Sequence, residues 1–238
     1  MVRVNAPVSL STPRLSVRSV RGDDAERLCT YYVRNQSHLA PWDPPAPPGF
    51  HDPERWPERI AGYESDRAAG RALRFVLLPT TDESGPVLGV ANLTQIVRGP
   101  FLCASLGYSL DSAVEGKGIM FEALGAVVTH AFGPLGLHRL QANYLPVNER
   151  SGRLLRRLGF VVEGYARDYL FIDGAFRDHV LTSLTNADPS IVWTPMRSLR
   201  LVHRRGCEAR RPLRPSKREP ISPPPRFAHV PLSHRRLR

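Results

Sequence analysis

Two hydrophobic periods alternate along residues 14–184, and together they predict the order of the elements. Arg14 to Val20 (RLSVRSV) alternates at period two and predicts a first strand. Residues 1–13 show no such pattern and read as an irregular arm. Asp23 and Asp24 stand where helix caps belong, ahead of a helix over Ala25 to Asn35. Residues 41–50 (PWDPPAPPGF) hold five prolines, which remove donors and fix φ, so this stretch reads as a rigid loop. Its bulky residues, Trp42 and Phe50, suit either a pocket wall or a hydrophobic pin. Asp52 to Ala69 predicts a second helix. Leu73–Leu78, Val87–Val97 and Phe101–Leu110 are short, closely linked strands and predict an antiparallel meander. In the last of them Ala104, Leu106, Tyr108 and Leu110 share one face, and Cys103, Ser105, Gly107 and Ser109 the other.

The period then changes. Met120, Ala123 or Leu124, Val127 and Ala131 recur at helical spacing, predicting a helix over Ile119 to Phe132 that Gly133-Pro134 ends. Leu137–Tyr144 reads as a strand. Val147–Leu158 reads as a helix with a basic outer surface (Arg150, Arg153, Arg156, Arg157), closed by Gly159. Phe160–Phe171 and Phe176–Leu184 flank Asp173-Gly174, a strong hairpin signal. The sum is an α/β (α+β) layer arrangement, with a mixed, mostly antiparallel sheet of seven strands and about four helices. The strand–helix–strand unit over 103–144 suggests parallel pairing in the middle of the sheet.

Composition changes this picture at one end only. The chain has 238 residues and a formal net charge of +11, which would ordinarily invite a nucleic-acid reading. Residues 197–238 hold 13 of the 33 Lys/Arg and 2 of the 22 Asp/Glu, so the remainder carries 20 of each sign. The excess charge therefore sits in a tail, residues 187–238, with eight prolines from Pro195 onward. Such a segment cannot form much regular core and is expected to be disordered. Arg-rich tails bind nucleic acid, so weak ribosome or RNA contact is one use for it. A non-functional extension is the other. After Pro195 only Phe227 is aromatic, which argues against a base-stacking RNA site. Cys29, Cys103 and Cys207 have no short metal-type spacing, which argues against a disulfide scaffold and against a metal site. With no signal-like or membrane-length apolar run, a cytoplasmic protein without membrane attachment is expected.

Candidate chemistry concentrates in Leu106 to Met120 (LGYSLDSAVEGKGIM). A strand runs into an acidic turn, then Gly116-Lys117-Gly118, then a helix N-terminus. Unpartnered N–H groups of a helix start point at whatever lies beyond it, and glycines let backbone approach a phosphate. Two readings stand at this point: a pyrophosphate cradle, or an ordinary strand-to-helix turn. Neither GxxxxGK[ST] nor GxGxxG with a suitably placed acidic residue is present, so a P-loop or Rossmann site is a poor account.

LGYSLDSAVEGKGIMFEAL, followed by HRLQANYLPVNERSGRLLRRLGFVVEGYARDYLFIDGAFRDHVLTSL, resembles the GNAT N-acetyltransferases, over roughly residues 10–186. The likeness is nearest to the branch that acetylates the N-terminal alanine of bacterial ribosomal protein S5. It implies the acyl-CoA N-acyltransferase fold over residues 14–186, with a splayed central strand pair and acetyl-CoA as donor. The acceptor implied is the N-terminus of a ribosomal or other protein. The family's diphosphate pattern, Gln/Arg-x-x-Gly-x-Gly/Ala, falls on Ala113 to Gly118. Both glycines fit and Ala113 departs from it. The resemblance thus assigns Glu115, Gly116, Lys117, Gly118, Ile119 and Met120 to the cofactor. It also assigns Tyr108, Ser109 and Leu110, whose main chain would pair with the pantetheine. Asn148 and Ser151 match its Asn-x-x-Ser pair. Asn148 is equally well read as a helix N-cap. Many members use a tyrosine further along this helix to protonate the leaving thiolate, and Leu155 stands in its place. Ser151 is the expected proton donor instead.

Direct transfer in a ternary complex is expected, with no acyl-enzyme. Cys103 on its alternating strand reads as a buried structural thiol. An N-terminal amine titrates at about 7.7–8.0, so a base has less to do than for lysine. Glu122, Asp168, Asp178 and His179 are the candidates for it. Asp178 and His179 face opposite ways in a strand, so at most one points into the site. Trp42, Tyr108, Asn143 and Tyr144 are further acceptor-side candidates. Two other functions compete. One is acetylation of a small amine such as an aminoglycoside. The other is ribosome or RNA association through the tail. A monomer and a homodimer fit the sequence equally.

Overall fold

The computed structural model describes residues 6–187. The expectations for the basic tail and for Cys207 fall outside those residues.

One sheet organises the chain. Its strands are β1 (Ser9–Ser11), β2 (Leu15–Ser19), β3 (Leu73–Pro79), β4 (Gly89–Val97), β5 (Cys103–Leu110), β6 (Arg139–Gln141), β7 (Val161–Ile172) and β8 (Ala175–Thr185). Their order is β1-β2-β3-β4-β5-β6-β8-β7, antiparallel throughout except where β5 pairs parallel with β6. The helices are α1 (Ala25–Arg34), α2 (Gln36–Leu39), α3 (Trp56–Ala68), α4 (Ile119–Phe132) and α5 (Glu149–Arg157).

Two expectations need correction. The sheet has eight strands rather than seven, because part of the arm over residues 1–13 forms β1. Three residues are too few to show alternation. Pairing with β2 makes this strand, through Leu10↔Val17 and the bond from Ser19 N–H to Val8 O. The fifth helix, α2, is a single turn between α1 and the proline loop and carries no periodicity of its own. The hairpin is as expected, with Ile172 paired to Ala175 across Asp173-Gly174.

Helices cover both faces of the sheet. On β3, Leu73, Phe75 and Leu77 join α4 and Leu155 of α5 in one cluster, whereas Val76 and Leu78 join Leu28, Tyr31, Trp56 and Ile60 in the other. A strand covered on both faces reads as a continuous apolar run, as LRFVLLP does. With 14 residues α4 is near the length at which an isolated helix is marginal in water. Burial of Ile119, Met120, Ala123, Leu124, Val127 and Ala131 therefore holds it, at roughly 1.5–3 kcal/mol for each large side chain fully buried.

The middle of the sheet opens. β5 and β6 pair only through Cys103↔Arg139, Ala104↔Leu140 and Ser105↔Gln141. Beyond that, the chain stays with β8 alone, Ala142 N–H donating to Thr182 O and Tyr144 exchanging backbone bonds with Val180, while residues 106–110 of β5 keep β4 alone. A bulge in β4 between Thr94 and Val97, with Gln95 at φ +51°, lies opposite Cys103–Ser105, the stretch of β5 that pairs with β6. One edge of β5 is thus left without a strand partner beside the N-terminus of α4.

Candidate active site

The turn after β5 is held from three sides. Asp111 caps a short 3-10 turn by accepting Ala113 N–H at 2.9 Å. The end of α1 clasps it: Arg34 Nε donates to Asp111 at 2.7 Å, and Asn35 Oδ1 accepts Ser112 N–H at 3.2 Å. From the β1–β2 side, Arg14 donates to Lys117 O at 2.8 Å and to Glu122 at 2.6 Å. Gly116 and Gly118 both stand at φ +74°, a region L-residues rarely adopt, so here the glycines are required by backbone geometry. The chain enters α4 directly from Gly118, leaving first-turn N–H groups without acceptors inside the helix.

Beside this turn lies a cavity of about 440 Å³, walled by β5, the start of α4, the start of α5 and the segment around α2. Of the residues expected to contact a cofactor, Tyr108, Ser109, Leu110, Glu115, Gly116, Gly118, Ile119, Met120, Asn148 and Ser151 line it. Lys117 does not. Its Nζ folds back to donate to Ala113 O at 3.1 Å. Glu115 is taken up in pairing, with Arg150 at 2.7 Å and His38 at 3.5 Å. The positive charge on the cavity wall comes instead from Arg150, Arg153 and Arg157 of α5. Their spacing was visible in the sequence as a basic outer surface, and only the packing of α5 turns it toward the turn.

Two hydroxyls meet at the open edge of β5. Tyr108 Oη and Ser151 Oγ are 2.7 Å apart. Burial pushes the Tyr108 phenol up to about 12, against a smaller downward pull from Ser151. Asn148 is the N-cap of α5, accepting Ser151 N–H at 3.1 Å, and this bond fixes where Ser151 sits. Behind them a Cβ on Gly152 would fall 2.8 Å from the Tyr144 ring, so α5 approaches the splayed strand as closely as its backbone permits. Leu155 is buried in the core, one turn further on.

A second cavity, about 590 Å³, opens on the far side of Trp42 and is walled by the β7–β8 hairpin and the segment 145–147. Trp42 lines both cavities. Among the candidate bases only Asp178 reaches the second one. It accepts Tyr165 Oη and Asp168 N–H, both at 2.9 Å, and these hold its carboxyl below the ordinary range. Asp168 lines neither cavity and sits at φ +49° in an irregular stretch of β7, where its N–H serves Asp178. His179 faces the other way, buried against Tyr169. Glu122 is engaged by Thr12 and Arg14, which hold its carboxyl low despite partial burial. Asn143 spans from Tyr169 Oη to Thr182 N–H. Cys103 is buried away from both cavities, and burial pushes its thiol up.

Asp43 was not among the sequence candidates. It lines the first cavity beside Trp42. Burial pushes its carboxyl up to about 6, with His38 pulling weakly the other way. The only signal was its place in the Pro-rich loop next to Trp42, and periodicity cannot evaluate a loop.

Comparison with known proteins gives the family. The sequence matches the family described as acetyltransferase (GNAT) domain over residues 14–161. It is 45% identical over 196 residues to the [ribosomal protein uS5]-alanine N-acetyltransferase of Escherichia coli, covering 82% of this chain and 98% of that protein. Among solved structures, the ribosomal-protein-S5-alanine acetyltransferase from Vibrio fischeri superposes with a TM-score of 0.73 at 38% identity, over 79% of this chain and all of that one. RimJ from Mycobacterium smegmatis, in complex with CoA-disulfide, gives a TM-score of 0.69 at 31% identity, over 76% and 88% of the two chains.

Proposed function

We propose a function from one premise: this chain belongs to the acetyltransferase (GNAT) family and is an acetyl-CoA-dependent N-acetyltransferase. The acceptor we assign is a protein N-terminal α-amine, that of the N-terminal alanine of ribosomal protein S5. Two cavities that meet at Trp42 support this, one beside the phosphate-type turn and the other open along the hairpin, where an extended chain end has room. The 45% identity to the E. coli enzyme over nearly its whole length supports the same acceptor.

Acetyl-CoA supplies the acetyl group as a thioester, which needs no metal. The first-turn N–H groups of α4 and the α5 arginines suit its phosphates by charge and by donor direction. The unpaired edge of β5 suits an extended amide arm, and its N–H groups suit the oxygen on which charge develops during transfer. Ser151 is the proposed proton donor to the departing sulfur. The Tyr108 hydroxyl lies in hydrogen-bond contact with it, so when Tyr108 donates to Ser151 Oγ the serine proton is free for the sulfur. Asn148 positions Ser151 through the N-cap bond.

Replacing Gly118 by valine is expected to weaken CoA binding about tenfold or more. An L-residue at that φ costs about 1–2 kcal/mol, and a β-branched one is worse. Titration calorimetry with CoA reads this directly. An unchanged Kd would remove the turn from the cofactor site.

The acceptor assignment is tested by thiol release from acetyl-CoA. The acceptors compared are a peptide with the S5-type N-terminal alanine, the same peptide with a blocked α-amine, a lysine-bearing peptide and several aminoglycosides. Turnover confined to the free α-amine is expected. Turnover with aminoglycosides alone would keep the fold and cofactor and overturn the acceptor.

A further inference from the structure

We infer that Asp43 is the group that receives the acceptor's α-ammonium and takes its proton. The inference rests on the acetyl-transfer reading above and adds the base that reading lacks. Three observations carry it. First, Asp43 has a fixed place: the N–H groups of Trp42 and Asp43 both donate to Leu39 O, at 2.8 and 3.0 Å, continuing the turn of α2. Pro41, Pro44 and Pro45 stiffen the chain on either side. Second, its carboxylate lines the cavity that also holds Ser109 and Leu110 of the open β5 edge. Its neighbour Trp42 forms the shared wall with the second cavity. An amine entering from the hairpin side therefore passes Trp42 before it reaches the β5 edge. Third, its carboxylate accepts no hydrogen bond and forms no ion pair among the described residues, whereas Asp111, Glu115, Glu122 and Asp178 are each tied to named donors.

Several titratable and charged groups surround Asp43. His38 faces it from α2, and Tyr31 and Tyr32 feel its charge from α1. Tyr108 and Glu115 stand on the same cavity wall. The α5 arginines line that cavity as well and have other partners: Arg150 pairs with Glu115, Arg153 with Glu149, and Arg157 stacks over Phe121. Raised to about 6 by burial, the carboxyl is ionised at neutral pH and basic enough to share a proton with an amine of about 7.7–8.0.

In the step itself one N–H bond of the α-ammonium breaks and the proton goes to a carboxylate oxygen of Asp43. The nitrogen lone pair so released attacks the thioester carbon while Asp43 returns that first proton to solvent. The adduct then loses its second N–H proton to Asp43, the C–S bond breaks, and the CoA sulfur leaves as the thiol with the proton of Ser151, which solvent restores. Nothing is oxidised or reduced.

The test is kcat/KM for the alanine-terminated peptide from pH 5 to 9, at saturating acetyl-CoA, with the full chain and its Asp43→Asn, Asp43→Glu and His38→Gln variants. The wild type should give a bell with its maximum between about 6 and 8, since kcat/KM then requires ionised Asp43 and a charged amine. Asp43→Asn should lose roughly 10²-fold at pH 7. It should also turn the bell into a single rise toward about 8, because the neutral amine must now bind. Asp43→Glu should restore part of the bell. The acetyl-CoA KM, measured separately at a fixed peptide concentration, should stay within about twofold in both. An Asp43→Asn enzyme with the wild-type profile would overturn the inference and leave the acetyl-transfer reading standing. So would an acidic limb that vanishes in His38→Gln instead. A wild-type enzyme with no peptide turnover at any pH would overturn both.

Discussion

Ser151→Ala is expected to lower kcat roughly 10²-fold, with the KM for acetyl-CoA unchanged within about threefold. The reduction sits at the low end of the range for general acid catalysis, about 10²–10⁴. An alkyl thiol of pKa near ~8.5 is a fair leaving group even when unprotonated. Removing the hydroxyl leaves the N-cap bond intact, because that bond uses the Ser151 backbone N–H and Asn148 Oδ1. Binding and folding should therefore survive while the chemical step suffers. Tyr108→Phe separates a relay from a lone donor. Its phenol, raised to about 12, is a poor acid toward sulfur on its own, yet at 2.7 Å it is placed to donate to Ser151 Oγ when Ser151 gives up its own proton. A loss of about tenfold is expected, and the double variant should be no worse than Ser151→Ala, since both act through one proton. Pre-steady-state measurement of the transfer step checks this. Additive losses would mean two independent roles.

The second large effect concerns stability. Asp24→Ala is expected to cost about 3–5 kcal/mol, which in a domain of this size lowers Tm by about 6–20 °C. Asp24 is fully buried and accepts both Arg18 Nη groups, at 2.7 and 2.8 Å, together with Arg21 N–H. Arg18 is 2% exposed, so alanine at 24 would strand a buried guanidinium. Replacing both partners with apolar residues of similar volume should recover much of the loss, because the penalty lies in the stranded charge. Burial alone would raise the Asp24 carboxyl. The Arg18 bonds, the Arg21 N–H and the charge of Arg27 outweigh it, and the carboxyl is held below its unfolded value. This contribution is thus complete above the unfolded aspartate value of about 3.9 and is lost as pH falls through the lower folded value. Denaturant melts between pH 7 and pH 3 should show wild-type stability falling with acid, and the double apolar variant falling less steeply. The consequence reaches the candidate site, because α1, anchored at Asp24, carries the Arg34 and Asn35 that clasp the turn after β5.

The elements were mostly legible because their cause is local. Helix α4 follows from apolar spacing and the Gly133-Pro134 stop, and the hairpin follows from Asp173-Gly174. β1 was not legible, since three residues carry no period and only pairing with β2 makes them a strand. Leu137–Tyr144 read as one strand, yet only Arg139–Gln141 pairs with β5, because its second half stays with β8 and diverges from β5.

By itself, the sequence determined the parts whose chemistry lies within a few neighbouring residues: the glycine turn before α4, the Asn148 cap that fixes Ser151, and the absence of a tyrosine at Leu155. It also carried the family resemblance. Tertiary structure alone decided which charged groups face a cavity. Lys117, beside the glycines, folds onto Ala113 O, while the arginines of a distant helix take the cavity wall. Asp178 is engaged by its own hairpin, while Asp43, in a proline loop with no period to read, is left unpaired among the described residues in the cavity that the open edge of β5 also lines. A carboxylate's availability depends on partners tens of residues away, and on how much water packing removes around it. Local spacing records neither.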